Sequence, residues 1–151
     1  MTDAELEALL QTAAGRLGSD LTEQEPGRWL VEVRFADGRR QRVFLYLGEG
    51  NAHYRHLGDE RRLLFAASHV GPWGPGLDAA ALLRKNAESS LAMVSVFFAP
   101  AGAAGEFAET IYTTAGLPLA VVSAPAITSM IDEVAGMADA LEQELFTVDR
   151  H

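Results

Sequence analysis

Residues 28–47, RWLVEVRFADGRRQRVFLYL, contain the pattern that decides the fold. Apolar and polar side chains alternate on both sides of Asp37-Gly38, and a period of two residues is typical of a half-buried β-strand. Asp and Gly tolerate the backbone conformation that a tight hairpin requires. The stretch therefore predicts a hairpin with strands at 29–35 and 40–47, in which one face joins a core and the other carries aromatic and basic side chains.

The patterns on either side of this hairpin predict helices and further strands. Apolar residues recur at helical spacing from Leu6 to Ala13, and the polar stretch that ends at Gly27 is predicted to be a connection. The nearly continuous apolar run at 91–98 is typical of a strand buried on both faces. The remaining segments are a strand at 62–70, a helix at 78–88, a strand at 107–114 and a helix from Ser123 to Phe146, so the order is α-β-β-β-α-β-β-α.

Composition places the chain among ordinary folded proteins. Its 151 residues, 48% hydrophobic and 22% charged, suit a single domain that spans 1–151. The absence of cysteine excludes disulfides, iron-sulfur clusters, thiolate zinc sites and thiol nucleophiles. The N-terminal residues are acidic where a secretory signal is basic, and no apolar stretch is long enough to span a bilayer as a helix. We therefore expect a cytoplasmic protein without a membrane anchor.

The net charge of −9 is unevenly distributed along the chain. Residues 1–27 carry one basic residue against six acids, giving −5, whereas residues 28–85 carry ten against six, giving +4. Residues 86–151 carry one against nine, giving −8. A basic middle between acidic ends can steer a partner or a second copy of the chain. The whole chain would nevertheless be repelled by phosphate, so we expect no direct nucleic-acid binding from the overall charge.

An Asn-Ala-Glu-Ser stretch at 86–89 closes the predicted middle helix before an apolar strand. Together with the element order, this stretch resembles the YbjN-like family and the type III secretion chaperone fold over nearly the whole chain. The resemblance implies an α+β fold with an antiparallel five-stranded sheet and three helices. It further implies homodimerisation and a role in binding or regulating other proteins without a cofactor. It brings no catalytic residue with it.

A histidine pair in a predicted loop is the strongest sequence candidate for metal chemistry. His53 and His56, with Asp59 and Glu60 just beyond, could hold zinc in a metal-dependent enzyme. Arg55 lies between the two histidines and disfavours a cation there. Exposed loop histidines are a much commoner cause of such a motif than a zinc site, so we predict no metal site.

Other catalytic patterns are missing from the sequence. No serine has a Gly-x-Ser-x-Gly setting, and the Gly/Pro-rich segment 71–76 lacks the Lys and Ser or Thr of a phosphate-binding loop. Paired acids near the C-terminus lie on the polar side of the last predicted helix, where solvent exposure explains them. We therefore predict no catalytic residue and no enzyme.

The arginines around the hairpin are the main candidates for partner binding. Arg39, Arg40 and Arg42 lie beside Phe44 and Tyr46, and basic residues interleaved with aromatic rings can bind single-stranded nucleic acid. Charge on an edge hairpin also protects it from aggregation. As a third interpretation, the cluster could contact the acidic last helix of another copy or an acidic segment of a client.

Trp73, within the segment 71–76, either covers one end of the core or anchors a partner.

The leading hypothesis is a homodimeric, non-catalytic module, chaperone-like or regulatory, that binds a protein client, for which a DNA-handling factor is one candidate. The predicted partner-binding residues are Arg39, Arg40, Arg42, Phe44 and Trp73. The alternatives are single-stranded nucleic-acid binding through the hairpin and a metal-dependent enzyme at His53 and His56.

Overall fold

The computed structural model of the protein describes residues 1–49, 62–101 and 105–146, and the predicted hairpin is present in it. Gly38, with a φ of 88°, supplies the turn conformation that the Asp-Gly pair predicts. In chain order the elements are α1 (Asp3–Arg16), β1 (Leu21–Glu25), β2 (Arg28–Arg34), β3 (Arg40–Glu49), β4 (Arg62–Pro72), α2 (Ala79–Lys85), β5 (Met93–Ala101), β6 (Glu106–Pro118) and α3 (Ala124–Phe146). Short 3₁₀ turns follow α2 and β6, at Asn86–Glu88 and Leu119–Val121.

The described strands form one sheet in the order β1-β2-β3-β4-β6-β5, and every neighbouring pair is antiparallel. The predicted α+β class, antiparallel sheet and three helices are confirmed for the described part of the chain. The predicted strand number was wrong, because the sheet has six described strands and not five.

The missed strand is β1, which lies in the stretch predicted to be a polar connection. Four of its five side chains are exposed, so its sequence lacks the apolar alternation by which strands are recognised. It belongs to the sheet because its backbone pairs with β2, with Leu21 opposite Val31 and Thr22 opposite Leu30. An edge strand can be polar on both faces, since backbone hydrogen bonds hold it in place.

One face of the sheet is covered by helices. α3 packs across β3, β4 and β6, and α1 packs against α3. The Thr113 hydroxyl donates a 2.8 Å hydrogen bond to the carbonyl of Val134 and so joins β6 to α3 inside the core. The largest fully buried side chains are Leu6, Leu10, Val31, Val43, Leu45, Leu64, Ile111, Ile127, Met130, Ile131, Val134 and Leu141.

The sequence predicts that the apolar run at 91–98 forms a strand buried on both faces. This prediction was wrong. β5 lies at the edge of the sheet, where Phe97 is 49% exposed and Phe98 71% exposed. A continuous apolar run can form a central strand or an edge strand. Here the spatial order β4-β6-β5 places it at the edge of the sheet. None of the described helices is long and apolar enough to cross a membrane.

Candidate partner-binding face

The side of the sheet opposite the helices carries a continuous set of aromatic side chains. No described helix packs on this side, which we call the open face and define by Phe44, Tyr46, Phe65, His69, Phe97 and Tyr112. Strand alternation places these rings there: in β3, for example, Val43 and Leu45 are buried against the helices while Phe44 points the other way. The predicted division of the hairpin into a core face and a mixed aromatic and basic face is confirmed.

The rings of the open face contact one another across strands. Tyr46 and Phe65 stack with centroids 5.3 Å apart. Tyr112 meets His69 edge-on at 5.5 Å and Phe97 at 5.9 Å. Such pairs stabilise neighbouring strands and hold the rings in fixed positions. The open face is therefore an ordered aromatic surface.

A groove runs across the open face. Residues from all six described strands line it, which shows that the sheet curves toward this side: Gln24, Glu25, Arg28, Trp29, Phe44, Leu45, Tyr46, Ala67, His69, Phe97, Phe98, Ala99, Pro100 and Tyr112. A concave, mainly apolar groove with a few polar groups has the general form of a binding site.

The apolar residues exposed on this surface are too many to be incidental. Phe44 is 41% exposed and Phe97 is 49% exposed, and Phe98, which lines the groove without being one of the open-face rings, is 71% exposed. Scattered single apolar residues are normal on a protein surface, but a contiguous patch marks an interaction site. The open face is therefore the strongest candidate for a partner contact in the described part of the chain.

Arg39 does not contribute to this surface. Its guanidinium lies 2.7 Å from Asp139 of α3 and 2.7 Å from Asp37 of the turn, and it lies over the Phe35 ring at 5.9 Å. Hydrogen bonds from Arg39, first from its backbone N–H and then from its side chain, hold the pKa of Asp37 below the ordinary value. Arg39 therefore joins the hairpin to α3 of its own chain. The contact of the arginine cluster with the last helix of another copy, or with a client, stays a prediction.

The other arginines of the hairpin are mostly neutralised. Arg40 lies 3.2 Å and Arg34 lies 3.5 Å from the carboxylate of Glu32. Arg28, at the rim of the groove, pairs with Glu25 at 2.8 Å. Arg42 makes no ion pair with any described residue. Of the predicted binding residues, Arg40, Arg42 and Phe44 lie together along one side of β3, because they are two residues apart in the strand.

Trp73 lies apart from these residues. It is partly buried against a second core cluster that includes Val70, Leu82 and Ile111, and its backbone N–H donates to the carbonyl of Glu109 at 2.9 Å. Of the two interpretations that the sequence allows, this packing favours the one in which Trp73 covers the end of the core.

His53 and His56 lie outside the described residues. Across 1–49, 62–101 and 105–146, no group of three or more His, Asp and Glu side chains is placed to hold a metal ion.

A second polar cluster on the surface connects α3 to the loop that follows α2, and its role is structural. One carboxylate oxygen of Glu133 accepts hydrogen bonds from the Ser89 hydroxyl at 2.5 Å and from the backbone N–H groups of Leu91 at 2.8 Å, Ser90 at 3.2 Å and Ala92 at 3.4 Å. These bonds, that of Ser89 first, hold the pKa of Glu133 below the ordinary value. The carboxylate fixes this loop to α3. The hydroxyl and N–H donors of the loop are already used in these bonds.

Sequence reasoning missed the half of the open face that β4, β5 and β6 contribute. His69, Phe97 and Tyr112 belong to the open face and Phe98 lines its groove, and sequence reasoning assigned all four to strands without a functional role. One signal could have found them: β5 contains two adjacent phenylalanines and no charge, which is unusual for a strand that is not enclosed.

Comparison with known proteins adds no family assignment. No known family model matches the chain, and no curated protein matches it.

Proposed function

We propose that this protein is a non-catalytic protein-binding module that acts as a homodimer in the cytoplasm and recognises an apolar segment of a client protein through the open face. The observation that supports the proposal is the exposed aromatic surface on the side of the sheet that no described helix covers. The resemblance to the YbjN-like family supports an adaptor or chaperone-like role. A DNA-handling factor is one class of client within this proposal.

The chemistry of the groove favours a protein segment over nucleic acid. Its floor consists of rings that suit aliphatic and aromatic side chains, and its rim offers Gln24 and the Arg28–Glu25 pair for polar contacts. A phosphate backbone would require uncompensated cations, whereas Arg40 is paired with Glu32, and Arg42 alone among the hairpin arginines has no described ion-pair partner. The net charge of −9 opposes phosphate further.

The test is capture of native partners on immobilised protein, with variants that separate the open face from other exposed apolar residues. Phe44→Ser removes a ring from the open face, and Leu83→Ser removes an apolar side chain that is 64% exposed on α2. We expect a protein captured by the natural chain to be lost with Phe44→Ser and kept with Leu83→Ser, as measured by mass spectrometry of the eluates.

Two results would contradict the proposal. Equal capture by both variants would remove the open face from partner recognition. Loss of captured material after nuclease treatment of the extract would favour the single-stranded nucleic-acid alternative instead, in which Arg42 and the rings of the open face bind the strand.

A further inference from the structure

The two edges of the sheet differ in chemistry. β1 carries Glu23 and Glu25 and contains an irregularity between them, and both features discourage pairing with another strand. β5, at the other edge, has no charged residue between Met93 and Ala101. A long, apolar, uncharged edge is a template for a further strand.

Hydrogen bonds show which backbone groups of β5 face outward. The Val94 N–H donates to the side-chain oxygen of Asn86 at 2.6 Å, so it points away from β6. Backbone groups alternate in direction along a strand, and the N–H and C=O of Val96 and Phe98 therefore also face outward. Within the described residues, no group beyond the sheet hydrogen-bonds to either of them.

The neighbouring strand confirms this assignment independently. The carbonyl of Glu109 in β6 accepts from the Trp73 N–H at the end of β4, so the backbone of Glu109 faces away from β5. Glu109 lies opposite Phe98 in the register. Phe98 therefore has no backbone hydrogen bond to its partner in β6, and its polar groups are directed to the open edge.

The available window is symmetric about Phe97. Three residues before it, the Val94 N–H is already occupied by Asn86, and three residues after it, Pro100 has no N–H. A twofold axis at Phe97 would place these two positions opposite each other. The two positions without a free donor would then coincide, and Val96 and Phe98 would each meet a residue that can return both bonds.

We propose that the edge formed by β5 pairs with the same strand of a second copy, antiparallel, with Phe97 opposite Phe97 of the partner subunit. This inference rests on the homodimer of the proposed function and specifies its interface. Val96 then exchanges two backbone hydrogen bonds with Phe98 of the partner subunit, and the twofold axis repeats the exchange. The six described strands of each copy join into one continuous sheet, and the two open faces become adjacent.

Self-pairing suits this strand better than an unlike partner segment. No side chain in the window needs an opposite charge, since Val96, Phe97 and Phe98 are all apolar and exposed. In the proposed register, Phe97 stacks beside its own copy and Val96 lies beside a phenylalanine, which are favourable cross-strand pairs.

The absence of cysteine in the natural chain allows a direct test of the register. In an antiparallel pair without mutual hydrogen bonds, facing Cα atoms are about 4.5 Å apart, which a disulfide can bridge. Phe97→Cys should therefore form a disulfide-linked dimer under mild oxidation. Ser95→Cys is the matched control, because Ser95 would face Ala99 of the partner subunit and its own copy would lie beyond disulfide reach.

We expect Phe97→Cys to cross-link about tenfold faster than Ser95→Cys on non-reducing gels, because only the first brings two thiols together. Light scattering should show the natural chain to be a dimer. A natural dimer in which both variants cross-link equally, or neither does, would overturn the inference and leave the homodimer in place. A natural chain that is strictly monomeric would overturn both, while client capture by the open face would still be decided by Phe44→Ser.

Discussion

Phe44 and Leu45 are neighbours in β3, yet they lie in opposite environments. Leu45 is fully buried beneath the helices, whereas Phe44 is 41% exposed on the open face. Ordinary sheets of this kind carry polar side chains on the uncovered side, and here that side is aromatic. The covered face therefore supplies stability, whereas the open face leaves apolar area exposed to solvent that folding alone does not use and that the proposed client would cover.

The largest expected difference between the two faces is in the free energy of unfolding. Leu45→Ala removes atoms from a closely packed core and should lower that free energy by about 2–5 kcal/mol. Phe44→Ala removes atoms already in contact with water and should change it by less than about 1 kcal/mol. Urea denaturation of both variants measures the two values. A loss at Phe44 as large as that at Leu45 would show that the open face is enclosed in the natural molecule.

The next difference concerns two adjacent arginines. Arg39 pairs with Asp139, which is only 8% exposed, whereas Arg40 pairs with the more accessible Glu32. Arg39→Ala leaves a buried carboxylate with a weaker set of partners and should cost about 1–2 kcal/mol. Arg40→Ala should cost at most about 0.5 kcal/mol, because solvent screens its pair. Thermal unfolding of the two variants provides the comparison, and equal shifts would refute this assignment of roles.

The smallest expected effect is a pH dependence on the covered side. Hydrogen bonds lower the pKa of Glu133 in the folded chain, from an ordinary value of 4.5. Its contribution to stability is therefore fully present above that ordinary value and is lost as pH falls through the folded pKa. Since the carboxylate is partly exposed, the contribution should be about 1 kcal/mol or less.

Glu133→Gln tests this contribution. The difference in unfolding midpoint between the natural chain and this variant should be present at neutral pH and shrink in acid. Glu142→Gln, on the same helix, is the control. A difference that stays constant from neutral pH into acid would exclude Glu133 as its origin.

The parts of the fold that the sequence predicts are those with local causes. The hairpin follows from alternation and an Asp-Gly turn in one short stretch, and α3 follows from a long apolar stripe. β1 could not be predicted, because what holds it is the backbone of β2 and not its own side chains. The edge position of β5 depends on which strand β6 joins, which local sequence does not record.

The candidate site shows the same limit. Phe44 and Arg42 were found because they lie in the hairpin, whereas His69 and Tyr112 reach the open face only through pairing of distant strands. Arg39 was grouped with Arg40 because they are adjacent in sequence. The two side chains point in different directions in the structure. The backbone and side chain of Arg39 both bind Asp37 in the turn, and the Arg39 guanidinium is directed toward α3.

The acidic edge of the sheet determines how far assembly through strands can proceed. If β5 is used by the twofold pairing, β1 is the one edge of the described sheet that remains free on each copy, and there Glu23 would face carboxylates of another molecule. Its irregular backbone also lacks the regular ladder that a growing fibre extends. Edge addition would therefore end at two copies, and a higher protein concentration should fill closed dimers without nucleating filaments.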